Sequence, residues 1–429
     1  MMKTLYVTRW NVPIETEHVF IKTVWNELKK CDEAELLTIL VRDVPSSSLS
    51  FAKELKAWLL IMPASFCSDR VRIISEIRSA FERIAPDLIH SNMQEGYELE
   101  AATLLKIPAV TTIHIGSVIC PRGGNGLWTK DDRICDGKIG KKCIDCCCNE
   151  LPCSFFAKAI LRLTPSKIKR RLNHYFNRHH TFFFTRLFNI ENGLDDRQRY
   201  LKNLANHYPV AANVQLYELL KYYDCSPRLI PHGVNERHRL SLPPVEGKIK
   251  FYYVGRICHQ KGLHIAIEAF KGINRSLYEF HVIGEPNSGR KNQQYFKKIL
   301  RDIKDINGFF HGYVENSQFD GLVKDWHVMI HPAIYHEVYG LTIAEALSVG
   351  RPVLATRCYG SEMQVEDNVN GWLVPTNDVK AMREKIVGIL NKKSELHDIS
   401  SRCKTPHKME DYVRSLMENY KQIINENHR

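Results

Sequence analysis

Residues 328–356 read VMIHPAIYHEVYGLTIAEALSVGRPVLAT, and this stretch decides the fold class. It starts with a short apolar run, Val328 to His331, and ends with another, Pro352 to Thr356. Between the two runs, apolar residues recur at helical spacing. Short apolar runs joined by a helix are typical of parallel strands that are buried on both faces. The stretch therefore predicts a β-α-β unit of a parallel sheet.

The same alternation of short apolar runs and helical patterns extends towards both ends of the chain. It pauses at Pro231–Gly233 and Leu242–Pro244, and clusters of proline and glycine mark connections between compact units. We therefore predict two doubly wound, Rossmann-like α/β domains that face each other across a cleft. The predicted parts are an N-terminal, acceptor-side domain at 1–235, a C-terminal, donor-binding domain at 236–405, and a terminal helix at 406–429 that packs back on the N-terminal domain.

Composition narrows the partners and the location that we expect. The chain of 429 residues has a formal net charge of +12, which favours an anionic partner: nucleic acid, an acidic membrane surface or a phosphorylated substrate. No apolar run approaches the roughly 20 residues that a membrane-spanning helix needs, and the N-terminus lacks the pattern of a signal peptide. We therefore expect a cytoplasmic protein whose 13 cysteines are reduced.

A basic loop, Val254–Gly262, follows a predicted strand and precedes a predicted helix. Its sequence, VGRICHQKG, carries the cations Arg256 and Lys261. Two cations beside the free amides of a helix end can bind a pyrophosphate. A solvated basic turn is an equally good interpretation of this spacing alone.

The opening stretch places acidic residues at the same edge of a sheet. Glu337 lies in the loop after the strand, and the amides of Gly340, Leu341 and Thr342 begin the next helix, where they can hold a phosphate. We expect Glu345 to lie in the first helical turn, where its carboxylate can accept hydrogen bonds from two ribose hydroxyls. Thr342 and Glu345 also fit a capping box, in which the glutamate serves only the helix.

Together these motifs resemble the retaining glycosyltransferases of family 4, which share a twin-Rossmann fold of the GT-B type. The resemblance rests on the Gly-Arg and Lys-Gly ends of the basic loop and on Glu337 and Glu345 with seven residues between them. Further matches extend it over most of the chain: Gly350–Thr356, Asn370–Val374, Ile230–Asn235 and Pro86–His90.

The resemblance implies a role for each candidate residue. Arg256 and Lys261 bind the donor pyrophosphate, and Glu345 binds the ribose. Glu337 faces the donor sugar near its anomeric carbon, and His114 reaches the same sugar from the N-terminal domain. The residues alone leave open that His114 is structural, because most buried histidines are satisfied in place. The nucleotide sugar is a substrate, so we expect no cofactor.

Two segments depart from the family pattern. The first loop reads Trp10–Glu15 where the family has a Gly-Gly pair, so the backbone has less freedom to approach a phosphate. The family's late Gly-Gly-x-Pro-Glu segment corresponds to Tyr359–Met363, in which Glu362 is a candidate for the same contact. The chain also lacks an Asp-x-Asp pair. We therefore predict no metal ion, and expect the basic loop and the helix amides to stabilise the leaving diphosphate.

Two segments of the first half have unusual compositions. Phe155–Asn189 interleaves eight Lys and Arg residues with aromatic residues, which favours contact with an anionic membrane surface. A solvated basic face with a buried aromatic side is the alternative, and the motifs above argue against nucleic acid. In the cysteine-rich segment Cys143–Cys153, one Cys-x-x-Cys has the spacing of zinc ligands, but no second well-spaced pair follows. We predict no metal there, although a structural metal remains the alternative to unliganded thiols.

The resemblance thus implies a retaining, metal-independent glycosyltransferase of the hexosyltransferase type. It would move a sugar from a nucleotide sugar to a lipid-linked or glycan acceptor in the synthesis of a surface polysaccharide such as lipopolysaccharide. We expect it to be peripheral on the inner face of the membrane. The alternatives are a nucleotide-sugar epimerase of the same fold, which needs no acceptor, and a non-catalytic subunit that binds a sugar nucleotide.

Overall fold

The structure, a computed structural model, divides into two compact units. It describes residues 3–9, 19–28, 30, 34–41, 58–62, 69–92, 96–114, 120–121, 126–151, 154–165, 168–169, 171–172, 175 and 182–427. The first unit contains residues 1–124, 137–231 and 409–429, and the second contains residues 125–136 and 232–408. The terminal helix therefore lies in the first unit. Segment 125–136 differs from our expectation, because it lies in the second unit.

A parallel sheet forms the centre of the first unit. Its described strands are β1 (Thr4–Arg9), β2 (Ala34–Val41), β3 (Trp58–Met62), β4 (Leu88–Ser91), β5 (Ala109–Thr112), β6 (Tyr208–Ala211) and β7 (Arg228–Leu229). They lie in the order β3-β2-β1-β4-β5-β6-β7, so the strand order reverses between β1 and β4. At this point Tyr6 pairs with Leu36 on one side and with His90 on the other.

Helices cover this sheet and complete its core. They are α1 (Val19–Leu28), α2 (Arg70–Ile84), α3 (Tyr97–Leu105), α4 (Lys141–Cys148), α5 (Ser154–Leu163), α6 (Phe182–Leu204) and α7 (Val214–Tyr222), with the terminal helix α14 (Met409–Asn427). The Asp69 carboxylate caps α2 by accepting a hydrogen bond from the Arg72 amide at 3.1 Å. Tyr412, Leu416 and Tyr420 of α14 pack into the buried core of the sheet. The first unit is therefore incomplete without the end of the chain.

The second unit repeats this design. Its strands are β8 (Ile249–Val254), β9 (Tyr278–Ile283), β10 (Gly308–Gly312), β11 (Val328–His331), β12 (Val353–Thr356) and β13 (Gly371–Val374). They form a parallel sheet in the order β10-β9-β8-β11-β12-β13. β11 and β12, both in the stretch that opened the sequence analysis, pair in parallel with Met329 opposite Val353. The predicted β-α-β unit is confirmed.

The helices of the second unit lie between these strands in the chain. They are α8 (Leu263–Phe270), α9 (Arg290–Asp302), α10 (Asn316–Val323), α11 (Leu341–Ser348), α12 (Val379–Asn391) and α13 (Leu396–Arg402). Arg351 is fully buried and donates to four backbone carbonyl oxygens, including those of Leu240 and Ser241. These bonds satisfy a buried guanidinium and attach the connecting segment to the second unit.

Two elements differ from the sequence prediction for local reasons. The apolar run at 209–214 predicts a strand over Pro209–Val214, but the strand ends at Ala211, because the Asn213 side chain accepts a hydrogen bond from the Leu216 amide at 2.8 Å and caps α7. Helix α9 was missed because the residues that reach the core, Tyr295, Phe296 and Ile299, form only a short stripe in a helix that is otherwise mostly polar and charged. The first loop, Trp10–Glu15, lies outside the described residues. None of the described helices is both long enough and apolar enough to cross a membrane.

Candidate active site

The reversal of strand order in the second sheet places two loops side by side. The basic loop, Val254–Gly262, follows β8, and a second loop, Pro332–Gly340, follows β11. We call the second one the acidic loop. Open α/β sheets bind ligands at such a reversal, beyond the carboxyl ends of the strands. The candidate residues of the second unit therefore lie where this fold binds its ligands.

A glycine and a backbone hydrogen bond hold the two loops together. The Ile334 amide donates to the Gln260 carbonyl oxygen at 2.9 Å. Gly262 has a φ of +69°, and a Cβ atom there would lie 1.9 Å from the carbonyl oxygen of Pro332. Both the backbone conformation and the space require glycine at this position. The end of the basic loop can therefore lie directly against the acidic loop.

Lys261 and Glu337 form a buried ion pair across these loops. Lys261 Nζ lies 2.5 Å from Glu337 Oε2, and the two side chains are 16% and 10% exposed. His331 Nε2 lies 3.4 Å from the same carboxylate oxygen, and Lys261 Nζ lies 5.2 Å from the centre of the Tyr335 ring. The structure thus brings together two predicted residues, Lys261 and Glu337, and adds His331 and Tyr335, for which the sequence predicts no role.

The neighbours in this cluster set the charge of each member. Burial alone would raise the pKa of Glu337, but Lys261 and His331 outweigh burial and hold that pKa well below its usual range. Burial alone would lower the pKa of Lys261, but Glu337 and Tyr335 outweigh burial and raise it. Burial lowers the pKa of His331, although Glu337 opposes this effect. The cluster therefore holds one carboxylate, one ammonium and a neutral imidazole at pH 7.

The main chain of Glu337 is fixed by the segment that follows β12. The Glu337 amide donates to the Cys358 carbonyl oxygen at 3.1 Å, and its carbonyl oxygen accepts from the Gly360 amide at 3.0 Å. A Cβ atom at Gly360 would lie 2.7 Å from backbone atoms of Tyr339, which leaves no room for a side chain. The Gln364 side chain also donates to the Tyr339 carbonyl oxygen. The position of the carboxylate thus depends on residues outside the acidic loop.

Helix α11 begins immediately after the acidic loop. Its N-cap is Gly340, with a φ of +84° and no side-chain capping bond. Thr342 therefore lies inside the helix, and it does not form a capping box with Glu345. Glu345 is the fifth helical residue, beyond the first turn in which we expected it. The first amides of the helix, including those of Leu341 and Thr342, lack intrahelical acceptors and can receive a phosphate.

Arg237 forms an ion pair with Glu345 of α11. Its Nη2 lies 3.6 Å from Glu345 Oε1, and its Nη1 lies 2.7 Å from Asp320 Oδ1. The Arg237 amide donates to the Ser348 hydroxyl at 3.0 Å, and the guanidinium lies 5.2 Å from the centre of the Phe319 ring. Burial raises the pKa of Glu345, and Arg237 opposes this effect. Arg237 therefore favours the ionised carboxylate.

The remaining candidates of the second unit are less enclosed. Arg256 is exposed, in contrast to Lys261 on the same loop. Glu362 accepts a hydrogen bond from the Tyr359 amide at 3.0 Å and lies 3.7 Å from Arg357. The Glu362 carboxylate thus stabilises its own turn.

Segment 126–136 adds a turn to the second unit. Leu127 and Ile134 form an antiparallel bridge, and Leu127 packs in a small apolar cluster with residues of the acidic loop and α8. Asp132 Oδ2 lies 2.9 Å from His259 Nε2 of the basic loop. A segment from the first half of the sequence therefore supports the loop that carries Lys261.

The first unit has its own polar cluster beyond the ends of β4 and β5. His114 Nε2 lies 2.7 Å from Asn92 Oδ1. His90 is fully buried and forms hydrogen bonds with the hydroxyls of Thr112, at 2.7 Å, and Tyr420. Burial, with a smaller effect of His114, lowers the pKa of His90 to about 3. The candidate His114 is thus held by an amide beside a neutral imidazole.

The cysteine-rich segment forms α4. Cys143, Cys146, Cys147 and Cys148 are buried, and none of them forms a disulfide bond within the described part of the chain. Burial raises the pKa of the Cys148 thiol to about 11, so this thiol is protonated at neutral pH. Among the described residues, which exclude Cys153, no three His, Cys, Asp or Glu side chains are grouped as metal ligands.

The part of the chain that matches a known protein family lies mostly in the second unit. Residues 234–415 match the family described as glycosyl transferases group 1. The chain is 28% identical over 159 residues to the putative colanic acid biosynthesis glycosyltransferase WcaL of Escherichia coli, a match that covers 34% of this chain and 38% of that protein. It is also 28% identical over 144 residues to the lipopolysaccharide 1,2-N-acetylglucosaminetransferase of Salmonella typhimurium, covering 32% and 37%. The chain thus spans less than half of the length of these relatives.

Solved structures resemble the whole chain at low sequence identity. HepE of Anabaena, in complex with UDP and glucose, has a TM-score of 0.65 at 14% identity, covering 98% of this chain and all of that one. TarM has a TM-score of 0.64 at 12% identity, covering 99% of each chain. These neighbours and the two doubly wound units confirm the predicted fold class. The chain therefore has a GT-B type fold, and residues 234–415 are similar to glycosyl transferases group 1.

Proposed function

We propose that the chain is a retaining glycosyltransferase that moves a hexosyl group from a nucleotide sugar to a lipid-linked or glycan acceptor. The observation that carries this proposal is the buried pair of Lys261 and Glu337 beside the first amides of α11. This arrangement lies within residues 234–415, the part similar to glycosyl transferases group 1. The names of the two bacterial relatives support synthesis of a surface polysaccharide, and the UDP in the HepE structure supports a nucleotide-sugar donor.

A donor diphosphate needs positive charge and hydrogen-bond donors. Lys261 and the first amides of α11 supply both, and Arg256 adds a second cation on the same loop. Glu337 holds the Lys261 ammonium in place before the donor binds, so little reorganisation is needed when the diphosphate leaves. We therefore propose that these groups stabilise the leaving diphosphate without a metal ion or a cofactor.

Glu345 and Arg237 fit the ribose of the donor. An ionised carboxylate on α11 can accept hydrogen bonds from two adjacent hydroxyls. Arg237 supports this role because it favours the ionised form of Glu345 against the effect of burial. In this proposal Arg237 positions Glu345 and does not itself contact the reacting atoms.

The transfer step exchanges one bond at the anomeric carbon for another on the same face. The bond from the anomeric carbon to the diphosphate oxygen breaks, the acceptor oxygen forms the new bond, and the acceptor proton passes to the departing phosphate oxygen. Glu337 is ionised and can stabilise positive charge that develops on the sugar. His114 contacts the donor sugar in this proposal, and Asn92 holds its imidazole.

We place the protein in the cytoplasm, peripheral on the inner face of the membrane. The net charge of +12 supports this location, because a basic protein is attracted to anionic lipid.

The direct test is transfer of labelled sugar from a panel of nucleotide sugars to bacterial lipid and glycan acceptors, with and without a chelator. We expect one donor to label an acceptor in the presence of chelator, and the anomeric configuration of the product to match the donor. Glu337→Gln should abolish transfer, whereas Glu362→Gln, which removes a carboxylate from a nearby turn, should retain it. Clear nucleotide binding without transfer from any donor would instead indicate an epimerase or a binding subunit.

A further inference from the structure

Helix α5 of the first unit has two apolar faces. Ala157 and Leu161 are buried and pack with α4 and α6 in one small core. Phe155, Phe156 and Leu163 are 78%, 66% and 82% exposed. Residues at positions 155, 156, 159 and 163 share one side of a helix, and this side lies opposite positions 157 and 161. The second apolar face is therefore presented to solvent.

The composition of this exposed face is unusual for a solvated helix. Its two phenylalanine rings contact each other edge to face, with centroids 5.8 Å apart, so neither ring is covered by its neighbour. Single exposed apolar residues are normal, but adjacent large ones on one helix face indicate a surface that is covered in use. We call Phe155, Phe156 and Leu163 the apolar face of α5.

The stretch of sequence that contains this apolar face is strongly basic. Residues 138–175 contain nine Lys and Arg residues but only two acidic residues, Asp145 and Glu150. Arg162 pairs with Asp145 at 2.9 Å and still keeps 62% of its side chain exposed, and Lys158 donates to the Asn149 side chain at 2.8 Å. This short segment thus carries a net charge of +7, nine minus two, out of the +12 of the whole chain.

We propose that the apolar face of α5, with the cations of residues 138–175, docks the chain on an anionic lipid surface. The phenylalanine and leucine side chains would enter the boundary between head groups and acyl chains, while the cations attract the lipid phosphates. A second copy of the chain is a poorer occupant, because pairing two such faces would bring two strongly basic segments together. The inference rests on the proposed function for its purpose, since docking would place a lipid-linked acceptor near the enzyme.

The test measures binding of the full chain to vesicles of phosphatidylcholine with and without phosphatidylglycerol, in the absence of any nucleotide sugar. The wild type should co-sediment with vesicles that contain phosphatidylglycerol and bind weakly to pure phosphatidylcholine. Phe155→Ser with Phe156→Ser should weaken binding to the anionic vesicles by about tenfold or more, because less apolar area is buried. Lys141→Gln with Arg171→Gln should weaken the same binding by at least about fivefold and make it less sensitive to salt concentration.

A matched control removes exposed apolar side chains elsewhere in the same unit. Val71 and Leu104 are 79% and 59% exposed on α2 and α3, so Val71→Ser with Leu104→Ser should leave vesicle binding unchanged. Thermal unfolding of each variant checks that the unit still folds. The proposal would be overturned if the wild type did not bind vesicles. It would also be overturned if the control variant lost as much vesicle binding as Phe155→Ser with Phe156→Ser. A wild-type dimer that Phe155→Ser with Phe156→Ser converts to a monomer, without vesicle binding, would show that the face joins two copies instead.

The same variants separate this inference from the proposed function. Phe155→Ser with Phe156→Ser should retain transfer to an acceptor in detergent and lose it with acceptor in vesicles. If vesicle binding follows the predicted pattern but no donor supports transfer, the docking surface stands and the proposed function fails.

Discussion

The two sheets reverse their strand order in the same way but carry different chemistry beyond the reversal. In the second unit the side chains are charged: Lys261 with Glu337, and Arg237 with Glu345. In the first unit the groups around His114 are neutral and form hydrogen bonds: the Asn92 amide and a buried His90 whose pKa lies at about 3. A charged, preorganised edge suits a phosphorylated ligand, whereas a neutral polar edge suits hydroxyl groups. The same fold is thus specialised by the side chains that follow its strands.

The largest effect on transfer should come from removing one partner of the charged pair Lys261 and Glu337. Lys261→Gln leaves the Glu337 carboxylate buried without its cation and removes a donor to the diphosphate. We expect transfer to fall by about a thousandfold, and the second unit to lose about 3–5 kcal/mol of stability. Steady-state kinetics and denaturant unfolding measure the two effects. Lys271→Gln removes a partly exposed lysine that pairs with Glu268 at 2.8 Å, and it should change neither quantity.

Substitutions near His114 in the first unit should affect turnover rather than donor binding. Asn92→Leu removes the oxygen that holds His114 Nε2 at 2.7 Å, so the imidazole loses its orientation. We expect kcat to fall by up to about a hundredfold with little change in donor KM. Asn203→Leu, on α6 of the same unit, serves as the control because Asn203 Nδ2 bonds Glu100 at 3.3 Å, outside the His114 cluster. A change in donor KM equal to that in kcat would contradict the assignment of His114 to the reacting sugar.

Arg237 should act on donor binding through the ionisation of Glu345. Burial already raises the pKa of Glu345 and Arg237 opposes that effect, so Arg237→Gln should raise this pKa further. The carboxylate is lost as pH falls through its pKa, and the variant should therefore lose donor affinity at a higher pH than the wild type. We expect donor KM to rise by about tenfold at neutral pH, and more below it. Identical pH profiles of donor KM in the two proteins would exclude this role, and Arg301→Gln, at an exposed arginine, is the control.

His90 of the first unit and Glu337 of the second should lose their contributions to the stability of the folded chain in different pH ranges. His90 has a lowered pKa, so the unfolded chain binds a proton more readily, and its contribution to stability is lost as pH falls from about 6.5 to about 3. Glu337 has a depressed pKa, so its contribution is present above about pH 4.3 and is lost only below that value. Each loss should reach at most about 1.4 kcal/mol per pH unit.

These pH ranges can be measured by denaturant unfolding at a series of pH values. The quantity compared is the free energy of unfolding of the wild type minus that of His90→Gln, and the same difference for Glu337→Gln. As pH falls, the difference for His90→Gln should start to change near pH 6.5, and that for Glu337→Gln only near pH 4.3. Both differences starting at the same pH would remove the electrostatic distinction between the two edges.

Apolar runs in the sequence predict most of the strands of both units. They predict a strand at Lys250–Val254, a helix at Leu263–Phe270 and a strand at Val328–His331. β8, α8 and β11 begin and end within one residue of these limits, because most of their residues are apolar and buried. Helix α9 and the end of β6 escaped prediction because their limits depend on polar residues and on a cap, which apolar patterns do not contain. Strand β10 was missed for a related reason, since its residues are only partly buried.

Only some residues of the candidate site could be predicted from the sequence. Lys261, Glu337 and Glu345 lie in motifs that are continuous in the sequence, and their spacing was visible. His331 lies in the same stretch as Glu337, but it ends an apolar strand, and its approach to the carboxylate depends on the path of the acidic loop. Arg237 contacts Glu345 from a distant segment, and such a contact becomes visible only when the chain is folded. Arg237 follows the matched segment Ile230–Asn235 by two residues, and a basic residue so close to a motif was the only signal available.

The course of the chain has a consequence for its synthesis. The polypeptide passes between the two units four times, at residues 124–125, 136–137, 231–232 and 408–409. Tyr412, Leu416 and Tyr420, which complete the core of the first unit, are synthesised after the whole of the second unit. Part of the core of the first unit therefore stays uncovered until α14 has been translated. A chain that is truncated after residue 408 should carry a folded second unit and a first unit that is sensitive to protease.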